Sequence, residues 1–305
     1  MANESTIARP VSCEGVGLHS GTRARLRLLP APAGSGIAFR RHDLDGFVVE
    51  ARAANIAKVS YATSLMKKGV FISTTEHLLS ALVGSGIDNV ICEIDNLELP
   101  ILDGSAAPYV EMLGMARLRR QTRRRRWLRV REALELREGE KFIGIYPADV
   151  YRLHYRINFP HPAIGEQRFT LELTPESYRT ELAPARTFGF LREFEAMRRQ
   201  GLIRGGSLDS AVVLDDERVV NGALRFPDEF VRHKMLDLIG DLALLGAPLQ
   251  AEVVADRAGH ALHTELVKRL LSERGRWEWA EEAAPEPPAA GEGASAGREL
   301  RAYTG

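Results

Sequence analysis

The sequence predicts an α+β protein made of two domains. Its 305 residues suit two domains of roughly 150 residues each. Segments with strand-like alternation and segments with helical periodicity are mixed in both halves of the chain. The halves also share a pattern at 76–94 and 232–254, in which a histidine is followed by an apolar helix, a glycine and a strand. A duplicated α+β domain explains this pattern, and so does a chance match, since these elements often follow one another.

The elements follow in order from hydrophobic periodicity and from glycine or proline breaks. The first half is expected to contain a helix at 74–83 and strands at 24–29, 37–40 and 89–94. The second half is expected to contain helices near 190–200 and at 229–245, and strands at 142–147, 153–159 and 250–255.

Changes in composition set the domain boundaries. We expect a first domain at 1–118, an interdomain linker at 119–131, a second domain at 132–280 and a disordered tail at 281–305, which has little apolar surface to bury. Nine of the fifteen residues at 117–131 are arginines. Such a run is typical of a solvated linker or an exposed edge. The alternative is a surface that contacts phosphates or the headgroups of an anionic membrane.

Composition and charge narrow the functional classes. Hydrophobic residues make up 45% and charged residues 27% of the chain, and the formal net charge is +0. This balance gives no global case for nucleic acid as a partner. The N-terminus lacks the apolar region of a secretory signal, and no stretch approaches the roughly 20 apolar residues that span a membrane. With only two cysteines, Cys13 and Cys92, we expect a cytoplasmic protein. We also expect a monomer.

Three polar residues recur every four positions along the otherwise apolar helix expected at 229–245. At about 100° per residue, His233, Asp237 and Asp241 fall on one stripe about 80° wide. Such a stripe is typical of the solvent-facing side of an amphipathic helix. Here the rest of the helix is apolar, and a buried carboxylate needs a cation or hydrogen-bond donors. Zinc is a candidate cation, because it binds histidine and aspartate, but it requires a further ligand from elsewhere.

Other histidines are candidates for the missing ligand. His77 follows Glu76 at the start of an expected helix, so that an acid stands beside a possible ligand. The same segment fits a capping box from Ser73 to Glu76, in which the glutamate only binds the helix backbone. His260 begins another expected helix, and His19 lies in a glycine-rich turn. Capping or structural roles are open for both.

Seven segments in one order carry a family resemblance. They are GVGLHSG at 15–21, STTEHLLSAL at 73–82, IDNVICEI at 87–94, PILDGSAAPYV at 100–110, ARTFGF at 185–190, RFPDEFVRHKMLDLIGDL at 225–242 and GHAL at 259–262. From about residue 6 to 278 the chain resembles the UDP-3-O-acyl-N-acetylglucosamine deacetylase family, the zinc amidases of lipid A synthesis. The resemblance implies two similar α/β sandwich domains with the active site between them. It also implies hydrolysis of an N-acetyl group to acetate and a free amine.

The resemblance further implies roles for the matching residues. The implied zinc ligands are His77, His233 and Asp237, which leave one coordination position open. The implied catalytic residues are Glu76 as the general base, His260 as the group that stabilises charge and protonates the leaving amine, Asp241 as its partner and Thr187 near the oxyanion.

The implied substrate, an acylated UDP-amino sugar, has a charged end and an apolar end. Lys234 and Arg257 match contacts to the nucleotide diphosphate, and Phe159 matches the residue that packs on uracil. An inserted acyl-chain-binding element is expected at 190–214. Its candidate lining residues, for which plain core packing is the alternative, are Phe190, Phe194, Ile203, Ala211 and Val213. Further candidate substrate contacts are Leu18, His19, Phe188, Gly206 and Ser207.

Two features depart from the family pattern. His263 stands where the family often has asparagine after GHAL, and the arginine run is unusually dense. Two rival functions also stay open. One is a zinc amidase that acts on a different N-acetylated sugar. The other is a nucleic-acid-binding protein that uses residues 117–131, although this run has only Trp127 as an interleaved aromatic residue.

Overall fold

The computed structural model describes residues 2–57, 62–193, 205 and 210–281. These residues form a mixed α/β structure with several β-sheets and few helices, so the expected mixture of strands and helices is confirmed. No helix within these ranges is both long enough and apolar enough to cross a membrane.

A five-stranded sheet forms the core of the N-terminal half. The elements of this half are β1 (Asn3–Ile7), β2 (Val11–Val16), β3 (Arg23–Pro30), β4 (Ile37–Arg41), β5 (Phe47–Glu50), β6 (Leu65–Lys67), β7 (Val70–Ile72), α1 (Glu76–Gly84), β8 (Val90–Ile94) and α2 (Ala107–Ala116). The strand order is β2-β3-β8-β4-β5, with β8 antiparallel to β3 and parallel to β4. In β3, Ala24, Leu26 and Leu28 are buried while the arginines between them face solvent, as the alternation predicts.

A seven-stranded sheet forms the core of the C-terminal half. The elements of this half are β9 (Leu118–Arg124), β10 (Trp127–Val130), β11 (Leu134–Glu138), β12 (Lys141–Tyr146), β13 (Tyr151–Phe159), β14 (Gly165–Glu172), α3 (Pro175–Ser177), β15 (Phe188–Phe190), β16 (Val212–Leu214), α4 (Glu229–Leu242), β17 (Leu249–Asp256), α5 (His260–Ser272) and β18 (Trp277–Ala280). Strand β17 is antiparallel to β12 and parallel to β13 and β10. It is buried along nearly its whole length, because it has neighbours on both edges and packed faces on both sides.

Helices α1 and α4 pack directly against each other. A Cβ atom at Gly240 would lie only 2.1 Å from the carbonyl oxygen of Glu76, so this close approach requires glycine. Leucines such as Leu79 on α1 and Leu236 on α4 are fully buried, which explains why both helices are apolar around most of their circumference. The helix contact brings the first turn of α1 against the part of α4 that carries the polar stripe.

The arginine-rich run forms two strands and not an unpaired connection. Strand β9 pairs with β1, and β10 pairs with β17 and β18. Arg123 forms an ion pair with Glu4, and Arg125 forms one with Asp88. Strand β9 thus forms a two-stranded ladder with β1, and β10 lies between β17 and β18 in the seven-stranded sheet, while most side chains of β9 stay exposed.

Some sequence predictions concern positions outside the described residues. Residues 191–193 are helical and follow β15, and the rest of the helix expected near 190–200 lies outside the described part of the chain. Most of the expected tail, 282–305, lies outside it as well. The candidate substrate contacts that fall outside it are Phe194, Ile203, Gly206 and Ser207.

Candidate active site

A cavity of about 300 Å³ opens where α1 meets α4. Segments from both halves of the chain line it, including the glycine-rich turn after β2, the first turn of α1 and the start of α5. The lining residues are Leu18, His19, Ala62, Thr74, Glu76, His77, Ile101, Thr187, Phe188, His233, Lys234, Asp237, Gly259 and His260. Ten of the candidate site residues from the sequence therefore face one space.

His77, His233 and Asp237 form a buried group in this cavity. Their potential ligand atoms all lie within 4.8 Å of one another. Asp237 Oδ1 is 3.3 Å from His233 Nε2 and 3.6 Å from His77 Nε2. His233 Nδ1 is 3.1 Å from the carbonyl oxygen of Ala185, so this nitrogen donates the ring hydrogen and Nε2 carries a lone pair. Burial lowers the pKa of His233 to about 4, which keeps the ring neutral and able to bind a metal.

Asp237 has one carboxylate oxygen without a partner. Oδ2 accepts a hydrogen bond of 2.8 Å from Lys234 Nζ, but Oδ1 is buried and has no hydrogen-bond partner among the described residues. Burial by itself raises the pKa of Asp237, whereas His233, Lys234 and His260 lower it well below its ordinary value. A buried, ionised oxygen that faces two imidazole nitrogens needs a cation. The donor set of two histidines and one aspartate fits a metal ion such as zinc.

Glu76 begins α1 and is buried beside this group. Its Oε2 accepts a hydrogen bond of 3.0 Å from the backbone N–H of Thr63. Burial raises the pKa of the Glu76 carboxyl, which makes the carboxylate a better proton acceptor. The capping box considered for this segment does not form, because α1 has Thr75 at its N-cap and no side-chain hydrogen bond at the cap. Ser73 instead accepts a hydrogen bond from Ser64.

Asp241 lies one turn beyond Asp237 and is saturated with hydrogen bonds. Its Oδ2 is 2.8 Å from His260 Nδ1 and 2.8 Å from His263 Nδ1, and its Oδ1 accepts a short hydrogen bond from the Thr63 hydroxyl. Burial by itself lowers the pKa of His260, but the carboxylates of Asp241 and Asp237 raise it to about 9. His260 is therefore a candidate proton donor, and its Nε2 points toward the cavity, 3.8 Å from Asp237 Oδ2.

Aromatic side chains form one wall next to the cavity. The ring of Phe188 lies 5.7 Å from that of Phe159, and Phe159 lies 6.3 Å from Phe190. Ala211 and Val213 are also buried, and Val213 pairs with Gly189, so its side chain lies on the face of the β15–β16 pair opposite the rings of Phe188 and Phe190. Arg257 lies apart from the cavity lining, since its guanidinium donates hydrogen bonds of 2.8 and 2.7 Å to Glu140.

The glycine-rich turn at 17–21 is held by a residue that sequence reasoning missed. Glu98 is almost fully buried, and it accepts hydrogen bonds from the backbone N–H groups of His19 and Ser20 at 2.9 and 2.7 Å. It also accepts one of 2.9 Å from the Thr74 hydroxyl. A Cβ at Gly17 would lie 2.5 Å from Glu98 Oε2, so a larger residue there would displace this carboxylate. No local signal marks Glu98, because its partners lie far away in sequence.

Thr63 was also missed, and His263 was noted only as a departure from the family pattern. His263 lies three residues after His260, and this spacing places both rings on one face of α5. That periodicity was the available signal for His263. Thr63 lies in an unremarkable segment before β6, and only its contacts across the chain reveal it.

The fold and the cavity define a mixed α/β protein with a buried group of two histidines and one aspartate that could hold a metal ion. Comparison with known proteins narrows this class to one family. The family model described as LpxC, UDP-3-O-acyl N-acetylglycosamine deacetylase, matches residues 4–272, and the chain belongs to this family.

Curated relatives agree with this assignment. The chain is 51% identical over 279 residues to a UDP-3-O-acyl-N-acetylglucosamine deacetylase of Solibacter usitatus, covering 91% of this chain and 94% of the relative. It is 47% identical over 274 residues to the protein of the same name from Anaeromyxobacter sp., with 90% of each chain covered. It is 42% identical over 295 residues to the one from Xylella fastidiosa, covering 94% and 97%.

Proposed function

We propose that this protein hydrolyses the N-acetyl group of a UDP-3-O-acyl-N-acetylglucosamine and releases acetate and the free amine for lipid A synthesis. The observation that carries this proposal is Oδ1 of Asp237, which is buried, has no hydrogen-bond partner among the described residues and faces the Nε2 atoms of His77 and His233. Family membership and the names of the relatives support the substrate.

We infer that zinc binds between these three side chains. Atoms that lie about 2.0–2.1 Å from one tetrahedral ion are about 3.3 Å apart, and the distances from Asp237 Oδ1 to the two histidines, 3.3 and 3.6 Å, suit that spacing. Lys234 bonds the other oxygen of Asp237 and so directs Oδ1 toward the histidines. When bound there, zinc would polarise the acetamide carbonyl and make a neighbouring water molecule more acidic.

The chain's own residues would divide the proton transfers. Glu76 Oε1 is the oxygen not used by the Thr63 backbone, and it would accept the proton of the attacking water. His260 would deliver a proton from Nε2 to the departing amine nitrogen, with Asp241 stabilising the imidazolium. Thr187, which lines the cavity, would donate its hydroxyl hydrogen to the oxygen that becomes negative.

The experiment measures acetate release and bound zinc together. Wild-type protein should release acetate from the acylated UDP-sugar, and Glu76→Gln should lower turnover by roughly 10² to 10⁴-fold while zinc content stays unchanged, since glutamine cannot accept the proton. Stoichiometric zinc without turnover of this substrate would instead favour an amidase for another N-acetylated sugar. Wild-type turnover by a zinc-loaded Glu76→Gln protein would contradict the role of Glu76.

We propose that the acyl chain passes along the aromatic wall formed by Phe159, Phe188 and Phe190. The ring contacts among them support an apolar passage. If the passage lies there, Phe190→Trp, which would narrow it, should penalise long-chain substrates more than short ones, because each buried methylene is worth about 0.8 kcal/mol. An equal loss for all chain lengths would indicate damage to the core.

We propose that Lys234 contacts the nucleotide diphosphate, since its partly exposed side chain lines the cavity and carries a positive charge. The interaction of Arg257 with Glu140 gives no support for a second contact from that side chain.

We propose that the two halves derive from one duplicated unit, with domains at 1–118 and 132–280. The order of the strands supports this, because β2-β3-β8-β4-β5 and β11-β12-β17-β13-β14 have matching directions at every pairing.

Cys13 and Cys92 are free thiols, which supports the expected cytoplasmic location.

We propose that β9 contacts anionic membrane surfaces. Support comes from Arg119 and Arg124, which are exposed on this strand, whereas Arg123 and Arg125 are engaged in ion pairs within the protein. Changing Arg119 and Arg124 to serine should weaken binding to vesicles that contain anionic lipid, without changing turnover of a short-chain substrate. Unchanged vesicle binding would remove the proposal.

A further inference from the structure

Thr63 contacts both the proposed general base, Glu76, and the proposed acid, His260. It is fully buried. Its backbone N–H donates to Glu76 Oε2 over 3.0 Å, and its hydroxyl donates a short hydrogen bond to Asp241 Oδ1. Thr63 Oγ1 also lies 3.2 Å from His260 Nδ1. One side chain and its own backbone thus contact the proposed base, the proposed acid and the partner of that acid.

The hydrogen positions follow from the donors and acceptors. A threonine hydroxyl has one hydrogen, and Asp241 Oδ1 receives it, so Thr63 Oγ1 turns a lone pair toward His260. His260 Nδ1 therefore faces two acceptors, Asp241 Oδ2 at 2.8 Å and Thr63 Oγ1 at 3.2 Å. Both acceptors favour a hydrogen on Nδ1. Nε2 is left as the nitrogen that exchanges a proton with the substrate.

Thr63 is itself fixed to the first turn of α1. Its carbonyl oxygen accepts hydrogen bonds from the hydroxyl and the backbone N–H of Thr75, at 3.0 and 3.2 Å. Thr75 directly precedes Glu76, whereas Asp241 lies on α4. Thr63 consequently links the two helices at the point where the proton-carrying groups meet, and it limits how far His260 can move relative to Glu76.

We propose that Thr63 is a positioning residue for the hydrolysis, because its hydroxyl holds the Asp241–His260 pair in register with Glu76. This inference rests on the proposed function, in which Glu76 and His260 transfer the protons. Thr63 acts through these groups and does not itself touch the scissile amide.

The test removes the hydroxyl and keeps the shape of the side chain. In Thr63→Val the backbone bond to Glu76 remains, so only the bond to Asp241 and the contact with His260 are lost. We expect kcat to fall about 10- to 100-fold, which corresponds to the loss of one hydrogen bond to a charged group. KM should stay within about twofold, and bound zinc should stay stoichiometric, since Thr63 contacts none of the proposed ligands. Thr63→Ser, which restores the hydroxyl, should recover most of kcat.

Ser64→Ala is the matched control. Ser64 is the next residue, it is also buried, and its hydroxyl donates to Ser73 over 3.1 Å without touching the proposed catalytic groups. We expect Ser64→Ala to keep wild-type kcat. Any small change in its melting temperature should be similar to that of Thr63→Val. Should Thr63→Val fail to fold, Thr63→Ala gives the same comparison with a smaller side chain.

A double-mutant cycle separates this inference from the proposed function. In a His260→Gln background, Thr63→Val should lower kcat by less than about twofold, because the group through which the hydroxyl acts has been removed. Wild-type kcat in Thr63→Val, failure of serine to rescue, or an undiminished loss in the His260→Gln background would each overturn the positioning role. If wild-type protein released no acetate, or if Glu76→Gln kept full turnover, the proposed function itself would fail.

Discussion

Two groups of similar composition lie side by side, the first in the cavity and the second behind it, with only His260 of the second group in the cavity lining. The first His/Asp group consists of His77, His233 and Asp237, and the second His/Asp group consists of Asp241, His260 and His263. Each has two histidines and one aspartate, and in each the potential ligand atoms lie within 4.8 Å of one another. By residue type and spacing alone, either group could hold a metal ion.

Their hydrogen bonds distinguish the two groups. Both oxygens of Asp241 have donors at hydrogen-bond distance, and His263 Nε2 has a further partner in the Tyr155 hydroxyl at 3.0 Å. Asp237 Oδ1 has no partner in the described part of the chain, and the nearest imidazole nitrogen is 3.3 Å away. The second group is therefore complete without a cation, and the first is not. The comparison teaches that unmet hydrogen-bonding capacity, and not the residue list, marks a metal site.

The largest effect is expected in the first His/Asp group. Asp237→Ala should lower turnover by about 10⁴-fold or more and should also remove bound zinc, because a metal ion contributes several kcal/mol of transition-state stabilisation. Zinc content by atomic absorption and acetate release by a coupled assay measure the two quantities. Added zinc should raise the melting temperature of the wild type and leave that of the variant unchanged. Full zinc occupancy in Asp237→Ala would contradict this assignment and would indicate that zinc binds to the second His/Asp group.

A smaller effect is expected in the second His/Asp group. Asp241→Asn should lower turnover by about 10²-fold, because the asparagine amide can no longer stabilise an imidazolium at His260. Zinc should remain stoichiometric, which is the contrast with Asp237→Ala. Parallel loss of zinc and activity in Asp241→Asn would show that the two groups are not separate in function.

The smallest effect is expected at His263. Asn can still donate one hydrogen bond toward Asp241, so His263→Asn should weaken this bond without removing it and lower kcat by about two- to tenfold. His263→Leu is the matched variant without a donor and should be worse than His263→Asn. If the leucine variant retained wild-type kcat and stability, the bond between His263 and Asp241 would have no part in holding the second group.

Local sequence patterns were sufficient to predict several features of the structure. The apolar periodicity of the helix at 229–245 and the four-residue spacing of His233, Asp237 and Asp241 depend only on helix geometry, and α4 carries all three. The alternation in β3 similarly depends only on the period of a strand. The order of the seven motif segments could be matched to a family without knowledge of the fold, because the match depends only on residue types and their sequence order.

Features that depend on contacts between distant segments were not accessible in this way. The Ser73–Glu76 pair fitted a capping box in sequence, yet α1 starts at Glu76 and the carboxylate binds Thr63 instead. The run at 117–131 was expected to be a solvated linker or an exposed edge because of its charge, and its strand partners β1, β17 and β18 could not be predicted from that charge. The hydrogen bonds between strands use only backbone N–H and C=O groups. A charged segment can therefore form a strand when its charged side-chain ends remain in solvent.

The sequence by itself determined the α+β class, the family and the stripe of polar residues on α4, because these follow from local periodicity and from motif order. The tertiary structure alone decided which of two similar His/Asp groups lacks a partner, and it decided that Thr63 bonds Asp241 across 178 positions of sequence. The reason is that a hydrogen bond between remote segments forms only after the helices have packed. That packing depends on a close approach at Gly240 that no local pattern encodes.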